Sequence, residues 1–286
     1  MTVSQTFSKS VTIPTGQVQV RKAAGDVRQA ASRKRTGERV VAVLSPLLLL
    51  GVWEGLVWIT LLDSRFFPAP SMIVGTLVDL VRTGELFTHL AISMTRIAVG
   101  FAIGAIPGIL VGVAMGLSGI IRAAINPIVG AIYPIPKIAI LPLILLIFGL
   151  GELSKYVIIA IAVFFLVLIN TMAGVMNIEK IYLEVGRNFR ASRFDAFRTI
   201  AIPGALPLIF AGTRLDWGVA LLVIVAAEFV GAKSGLGYMI WQSWQIFAIE
   251  TMYVGLIVIA FVGWASFLIL DEIERYLVPW KPSHQK

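Results

Sequence analysis

The sequence predicts an all-α integral membrane protein with six transmembrane helices and both termini in the cytoplasm. Three observations carry that reading. Of 286 residues, 58% are apolar and only 14% charged, with a mean hydropathy of +0.88; soluble domains carry about a quarter charged residues. Apolar runs near the roughly 20 residues needed to cross hydrocarbon recur along the chain. The basic residues also fall mainly into alternate connecting segments, as the positive-inside rule requires.

Residues 1–39 form a basic tail, with Lys9, Arg21, Lys22, Arg28, Arg33, Lys34, Arg35 and Arg39 set against Asp26 and Glu38. Its composition predicts a disordered cytoplasmic segment. The first apolar run, 40–62, is long enough to span and is read as a retained helix rather than a signal peptide. A polar, amphipathic stretch follows over 63–96, with a surface helix over 71–81. Further spans are expected at 97–117, 124–150, 156–176, 206–230 and 252–270, and the membrane domain closes at about 275, before a short cytoplasmic tail over 276–286. Pro127, Pro134, Pro136 and Pro142 must break or kink the third span. The N-terminal tail, Arg122, the 177–205 loop and the C-terminal end hold seventeen basic residues, against Arg65, Arg82, Lys155 and Lys233 on the other side and Arg96 at the boundary. The net charge of +8 is thus a topology signal and not a nucleic-acid footprint. There is no cysteine, and His89 and His284 lie far apart, so no thiol chemistry, disulfide or metal cluster is expected.

Gly100, Gly104, Gly108, Gly112 and Gly116 recur at every fourth position, placing a glycine stripe along the second span. Bare backbone on one face admits a closely packed helix, either within the chain or across a subunit interface. Ionisable residues at membrane depth mark a pathway or a paired interior site. Glu54, Lys137, Arg214, Asp216 and Glu228 qualify, and Lys137, Arg214 and Glu228 are the pathway candidates. Lys137 sits in the proline-rich run 133–143, where freed carbonyls need new partners and an irregular backbone is tolerated only beside a cavity or inside protein.

The loop over 178–205 is patterned rather than a plain connector. On a helical wheel Val185, Phe189, Ala196 and Ile200 share one side, with Glu184, Arg187, Asn188, Asp195 and Arg198 opposite. This predicts an amphipathic helix that lies on the inner lipid surface or docks into a groove on a partner. Glu184, Ala191, Ser192 and Pro203 match the EAA motif of the membrane subunits of ATP-binding-cassette importers. Val185 and Gly186 replace its alanines, and Arg190 replaces the glycine of its turn. Residues 67–71, Ser93-Met94-Thr95-Arg96, 134–142, Phe148-Gly149-Leu150-Gly151-Glu152, Ala226-Ala227-Glu228 and Gly235-Leu236-Gly237 are similar to the nitrate, sulfonate, taurine and bicarbonate branch of these permeases.

This resemblance implies a type I, MetI-like permease fold. It implies a homodimer working with two cassette ATPase subunits and an extracytoplasmic solute-binding protein, surrounded by membrane lipid. Glu184, Gly186, Arg190, Ala191, Ser192 and Pro203 would couple it to the ATPase. The implied solute is a small anion such as nitrate, taurine or another sulfonate, for which Lys137, Arg214 and Arg96 have the right sign. No G-x-x-x-x-G-K-[ST] phosphate loop occurs; Gly231-Ala232-Lys233-Ser234 lacks the spacing. No cofactor is therefore expected on this chain, with ATP and Mg held by the partner ATPase, and the chain is expected to be a transport subunit, not an enzyme. A gradient-driven secondary transporter is the alternative, but it should show inverted repeats. An intramembrane enzyme would need a His-Glu or Ser-His constellation, and neither is visible.

Overall fold

The computed structural model describes residues 41–42 and 44–280. The basic tail and residues 281–286 lie outside them, as do the side chains of Arg187 and Arg193. The chain divides into two units between Ser64 and Arg65. The first contains α1 (Leu44–Trp58), apolar but shorter than a full span. One turn of this helix is closed by Trp58, whose indole N–H donates to Glu54 Oε1 at 2.8 Å.

The second unit is helical throughout, and the described residues contain no strand. It comprises α2 (Pro70–Thr83), α3 (Glu85–Leu117), α4 (Gly119–Ile132), a 3₁₀ turn (Lys137–Ile140), α5 (Leu141–Phe148), α6 (Glu152–Met176), α7 (Lys180–Asn188), α8 (Arg193–Asp195), a π turn (Ala196–Ala201), α9 (Ile202–Phe229), α10 (Leu236–Gln245) and α11 (Ile249–Leu277). Among the described residues, four helices are long and apolar enough to cross a membrane: α3, α6, α9 with its preceding π turn, and α11. A fifth span results if α4 and the Lys137–Phe148 segment, bent by 81° to each other, are counted as one.

The helix lengths follow local chemistry. α3 begins at Glu85 instead of the expected 97, so His89, Ser93 and Arg96 lie on its first turns. Pro107 is absorbed inside α3 and Pro127 inside α4. The break falls at Pro134 and Pro136, while Pro142 opens α5, where a missing N–H costs nothing. Pro203 stands just inside α9; it cannot donate to the turn before it, and Ile202 N–H reaches back five residues to Phe197 O. That wider winding accounts for the π turn. α10 is an element the apolar pattern did not single out.

The parallel pair α3 and α6 forms the centre of the bundle. Gly100 faces Tyr156 and Ile159, Gly104 faces Ala160, Gly108 faces Phe164 and Val167, Gly112 faces Leu168 and Thr171, and Gly116 faces Val175. Both helices advance together in this series, so they run in the same direction, and α4 with α5 supplies the return between them. α9 runs antiparallel to α6: Gly174 of α6 meets Ala205 and Leu208 of α9, and Asn170 meets Gly212. The core between these helices is built from Ile97, Ile158, Ile159, Val163, Val167, Ala220, Ile224 and Ala227. The starts of α3 and α6 and the end of α9 therefore share one end of the bundle, opposite the 177–201 loop.

Candidate functional site

Four of the short stretches singled out in the sequence converge at that end. Arg96, 2% exposed, projects from α3. Its Nε donates to Glu152 Oε2 at 2.6 Å and its Nη2 to Glu152 Oε1 at 2.5 Å, a bidentate clasp on the first residue of α6. Its Nη1 donates to Glu228 Oε1 of α9 at 2.8 Å and to Ser234 O at 2.6 Å. Glu228, 1% exposed, also accepts from Ser93 Oγ at 2.8 Å and from Gly237 N–H at 2.8 Å. A buried carboxylate is tolerable only with this density of donors and a cation.

The same cluster caps α10. Three successive backbone N–H groups at its start donate to side chains of α3 and α9: Gly235 to His89 Nδ1 at 3.0 Å, Leu236 to Ser93 Oγ at 2.8 Å and Gly237 to Glu228 Oε2 at 2.8 Å. A carboxylate at a helix N-terminus is also favoured by the helix dipole. Gly235 is required twice over, because its φ is +115° and a Cβ there would lie 2.3 Å from Glu228 Oε1. Beside it, Lys155 is 2% exposed and donates to Leu150 O at 2.8 Å and Gly151 O at 3.0 Å, closing the turn that leads into α6.

The other charged candidates stand elsewhere. Lys137 spends all three N–H donors on the carbonyls of Ile132, Tyr133 and Ile135, at 2.9–3.1 Å, and its ammonium lies 5.1 Å from the Phe165 ring centre. These carbonyls lie at the break made by Pro134 and Pro136, where Ile132 O also accepts from Ile135 N–H at 3.1 Å. Arg214 turns toward α11, pairing with Asp271 at 2.6 Å and with Glu274. Asp216, two residues on, faces the other way: it is 1% exposed and accepts from Asn170 Nδ2 of α6 at 3.3 Å. Thus Glu228 belongs to the Arg96 cluster, whereas Lys137 and Arg214 lie in separate environments.

At the opposite end, the patterned loop is two short helices and not one amphipathic helix, because a left-handed residue interrupts it. Arg190 has φ +52°, and Ala191 N–H donates to Gly186 O at 2.9 Å. This is a helix end of the kind normally completed by glycine, with Arg190 at the left-handed position. Ser192 then caps the next helix: its Oγ accepts from Asp195 N–H at 3.1 Å, while Asp195 accepts from the Ser192 hydroxyl at 2.6 Å. Those Ser192 donors hold the Asp195 carboxyl below its usual range, so this cap is fully present above the ordinary carboxylate pKa and is lost as pH falls through the lowered one. Gly186 packs against Ile200, whose Cδ1 a Cβ would meet at 2.6 Å. Pro203 follows at the start of α9, and Glu184, Ala191 and Ser192 are exposed. Around them Tyr182, Val185, Phe189 and Phe194 are 58%, 46%, 84% and 67% exposed.

The left-handed arginine leads to a direct expectation. Arg190→Gly removes a strain of about 1 kcal/mol, offset in part by the added freedom of the unfolded chain. Hydrogen exchange at the Ala191 amide should slow by up to about fivefold. Unchanged or faster exchange would show that the turn is not strained.

A helical bundle of four to five apolar spans among the described residues, with a buried ion network at one end, a helix broken at Pro134 and Pro136 and an exposed, structured loop at the other end, has the architecture of a polytopic membrane protein. Comparison with known proteins gives the family. Residues 104–281 match the family described as binding-protein-dependent transport system inner membrane component. The chain is 34% identical to the "Putative aliphatic sulfonates transport permease protein SsuC" of Bacillus subtilis, over 91% of this chain and 94% of that protein. It is 34% identical to the "Taurine transport system permease protein TauC" of Escherichia coli, over 82% and 86% of the two chains. It is 32% identical to the "Nitrate import permease protein NrtB" of Leptolyngbya laminosa, over 68% and 70%. In fold it is similar to an inward-facing structure of the MetNI methionine ABC transporter, with a TM-score of 0.56 and 22% identity over 69% of this chain and 95% of that one.

The chain belongs to the binding-protein-dependent inner membrane component family. It is a multi-pass inner-membrane permease of an ATP-binding-cassette importer, a transport component rather than an enzyme, and the family does not favour a gradient-driven transporter.

Proposed function

We propose that this permease carries a small oxyanion of the sulfonate, taurine or nitrate class, as a homodimer with two cassette ATPase subunits and an extracytoplasmic binding protein. The sulfonate, taurine and nitrate for which the three relatives are named support the solute class. ATP and Mg are held by the ATPase. The membrane arrangement is six spans, counting 40–62, with both termini in the cytoplasm. The Arg96 cluster then lies at the outer end and the 178–205 loop at the inner end.

The observation that carries the coupling mechanism is the loop itself. Its short helices offer Tyr182, Val185, Phe189 and Phe194 to solvent around the small Ala191, a surface suited to burial in a partner's cleft. Glu184, Gly186, Arg190, Ala191, Ser192 and Pro203 act as the coupling set: Glu184 and Ala191 at the contact, and Gly186, Arg190, Ser192 and Pro203 by shaping the backbone that presents it. Movement of the ATPase pair is transmitted through this loop to α6 and α9, which it joins. Lys137 serves the pathway by holding the broken α4–α5 backbone in shape, Arg214 by tying α9 to α11, and Glu228 by fixing the outer ends.

Affinity purification of the tagged chain from its native membranes should recover a cassette ATPase. Glu184→Lys or Ala191→Glu should lower that recovery, or leave hydrolysis uncoupled from transport, because each places charge in a tightly packed contact. Normal recovery together with normal transport in both variants would remove the loop from the coupling role.

A further inference from the structure

Arg96 divides its guanidinium between two carboxylates with opposite exposure. Glu228 is sealed, with 0% side-chain exposure, and is held by Ser93 and the Gly237 N–H as well. Glu152, which clasps the Nε and Nη2 edge, is 53% exposed. That edge borders a cavity of about 350 Å³ lined also by Ile92, Thr95, Tyr156 and Ser234. The cavity is within the size range of small-molecule sites.

We infer that the Nε/Nη2 edge of Arg96 is an exchangeable oxyanion site, at which a small sulfonate-class anion entering this cavity displaces the Glu152 carboxylate. The inference rests on the proposed oxyanion specificity and extends it to a particular position. Three features of the chemistry favour it. The guanidinium fork donates to two oxygens of a planar or tetrahedral oxyanion as it donates to a carboxylate. The exchange replaces one negative charge by another, so the buried Arg96 is never left unpaired, which would be the costly step. Glu152 can leave because it is half in solvent and regains hydration, whereas Glu228 cannot leave without stranding the Ser93 hydroxyl and the start of α10. With Glu152 turned away, the Arg96 guanidinium, which lines the cavity, presents positive charge and N–H donors to it and so favours anions over cations.

The test measures equilibrium binding of radiolabelled ethanesulfonate, with ethylammonium as the cationic counterpart of similar size, to the full-length chain in lipid nanodiscs. A carboxylate that competes with the ligand predicts a gain on its removal: Glu152→Gln should bind ethanesulfonate about tenfold tighter than the unmodified chain. Ala91→Trp, on an exposed position lining the cavity, should fill it and abolish binding. Ethylammonium should bind to neither. A purely structural ion pair predicts no gain, so equal or weaker binding by folded Glu152→Gln, judged by elution and unfolding midpoint, overturns the site. If Glu152→Gln does not fold, the comparison moves to the unmodified chain: ethanesulfonate should raise its unfolding midpoint but not that of Ala91→Trp, and no difference overturns the site. ATP-driven ethanesulfonate uptake by the reconstituted importer separates the two levels. Uptake without the Glu152→Gln gain refutes the site alone, whereas binding at the site without uptake of any oxyanion refutes the proposed transport function.

Discussion

Arg96→Leu should destabilise the bundle by about 3–5 kcal/mol, the loss expected when one member of a buried ion pair is removed and the other stays charged and enclosed. The reason lies in the distances. Glu228 would keep Ser93 and Gly237 as donors at 2.8 Å but lose the cation that donates to it, and Glu152 and Ser234 would lose the group that ties α6 and the α9–α10 connection to α3. The measurement is the unfolding midpoint of the purified chain, together with its yield in membranes. Adding Glu228→Leu to Arg96→Leu should recover part of the loss, because the stranded charge goes with it. A double variant as unstable as the sum of the two singles would show that the charges are not coupled.

The second large effect concerns the α3–α6 contact. A Cβ at Gly104 would lie 2.4 Å from Ala160 O, and one at Gly112 would lie 2.6 Å from Leu168 O. Both obstacles are backbone, which cannot rotate aside. Gly104→Ala and Gly112→Ala should each cost about 1–3 kcal/mol despite adding only a methyl group, and Gly104→Leu should prevent assembly of the bundle. Gly130, in α4, has nothing within 4 Å of the same point; there alanine should be neutral or stabilising by up to about 1 kcal/mol. Equal tolerance at Gly104 and Gly130 in a thermal-shift comparison would contradict the close parallel packing.

Much of this architecture is legible in the sequence because the bilayer imposes it. The spans at 156–176 and 252–270 fall inside long helices, that at 206–230 runs one residue past the end of α9, and the run containing Pro134 and Pro136 is where the helix between α3 and α6 breaks. The early start of α3 was hidden because Glu85, His89 and Arg96 make its first turns too polar to count as a span. The polarity of Arg96 is absorbed within the protein by Glu152 and Glu228, while Glu85 stays exposed. α10 was hidden by its length and by its mixture of Trp241, Trp244, Gln242 and Gln245, which fits neither a span nor a polar loop.

The ion cluster was least legible. Its members are 56, 132 and 135 positions apart, and no local period links them. The available signal was that Ser93, Arg96, Glu152, Glu228, Gly235 and Gly237 each lay in a short motif near a predicted span end. The topology also places the starts of α3 and α6 and the end of α9 together. Arg214 shows the converse: its partners Asp271 and Glu274 sit on α11, so a lone cation in the sequence is a paired one in the fold. The wheel over 185–200 likewise assumed a continuous helix and could not register that Arg190 takes the left-handed turn.

The most direct test of the account is uptake of labelled taurine into liposomes containing this chain with its co-purifying ATPase and binding protein. The account predicts accumulation that requires ATP on the side of the 178–205 loop, persists when ion gradients are collapsed, and is lost with Ala191→Glu. Uptake by the chain alone, driven by an imposed ion gradient and indifferent to ATP, would contradict it.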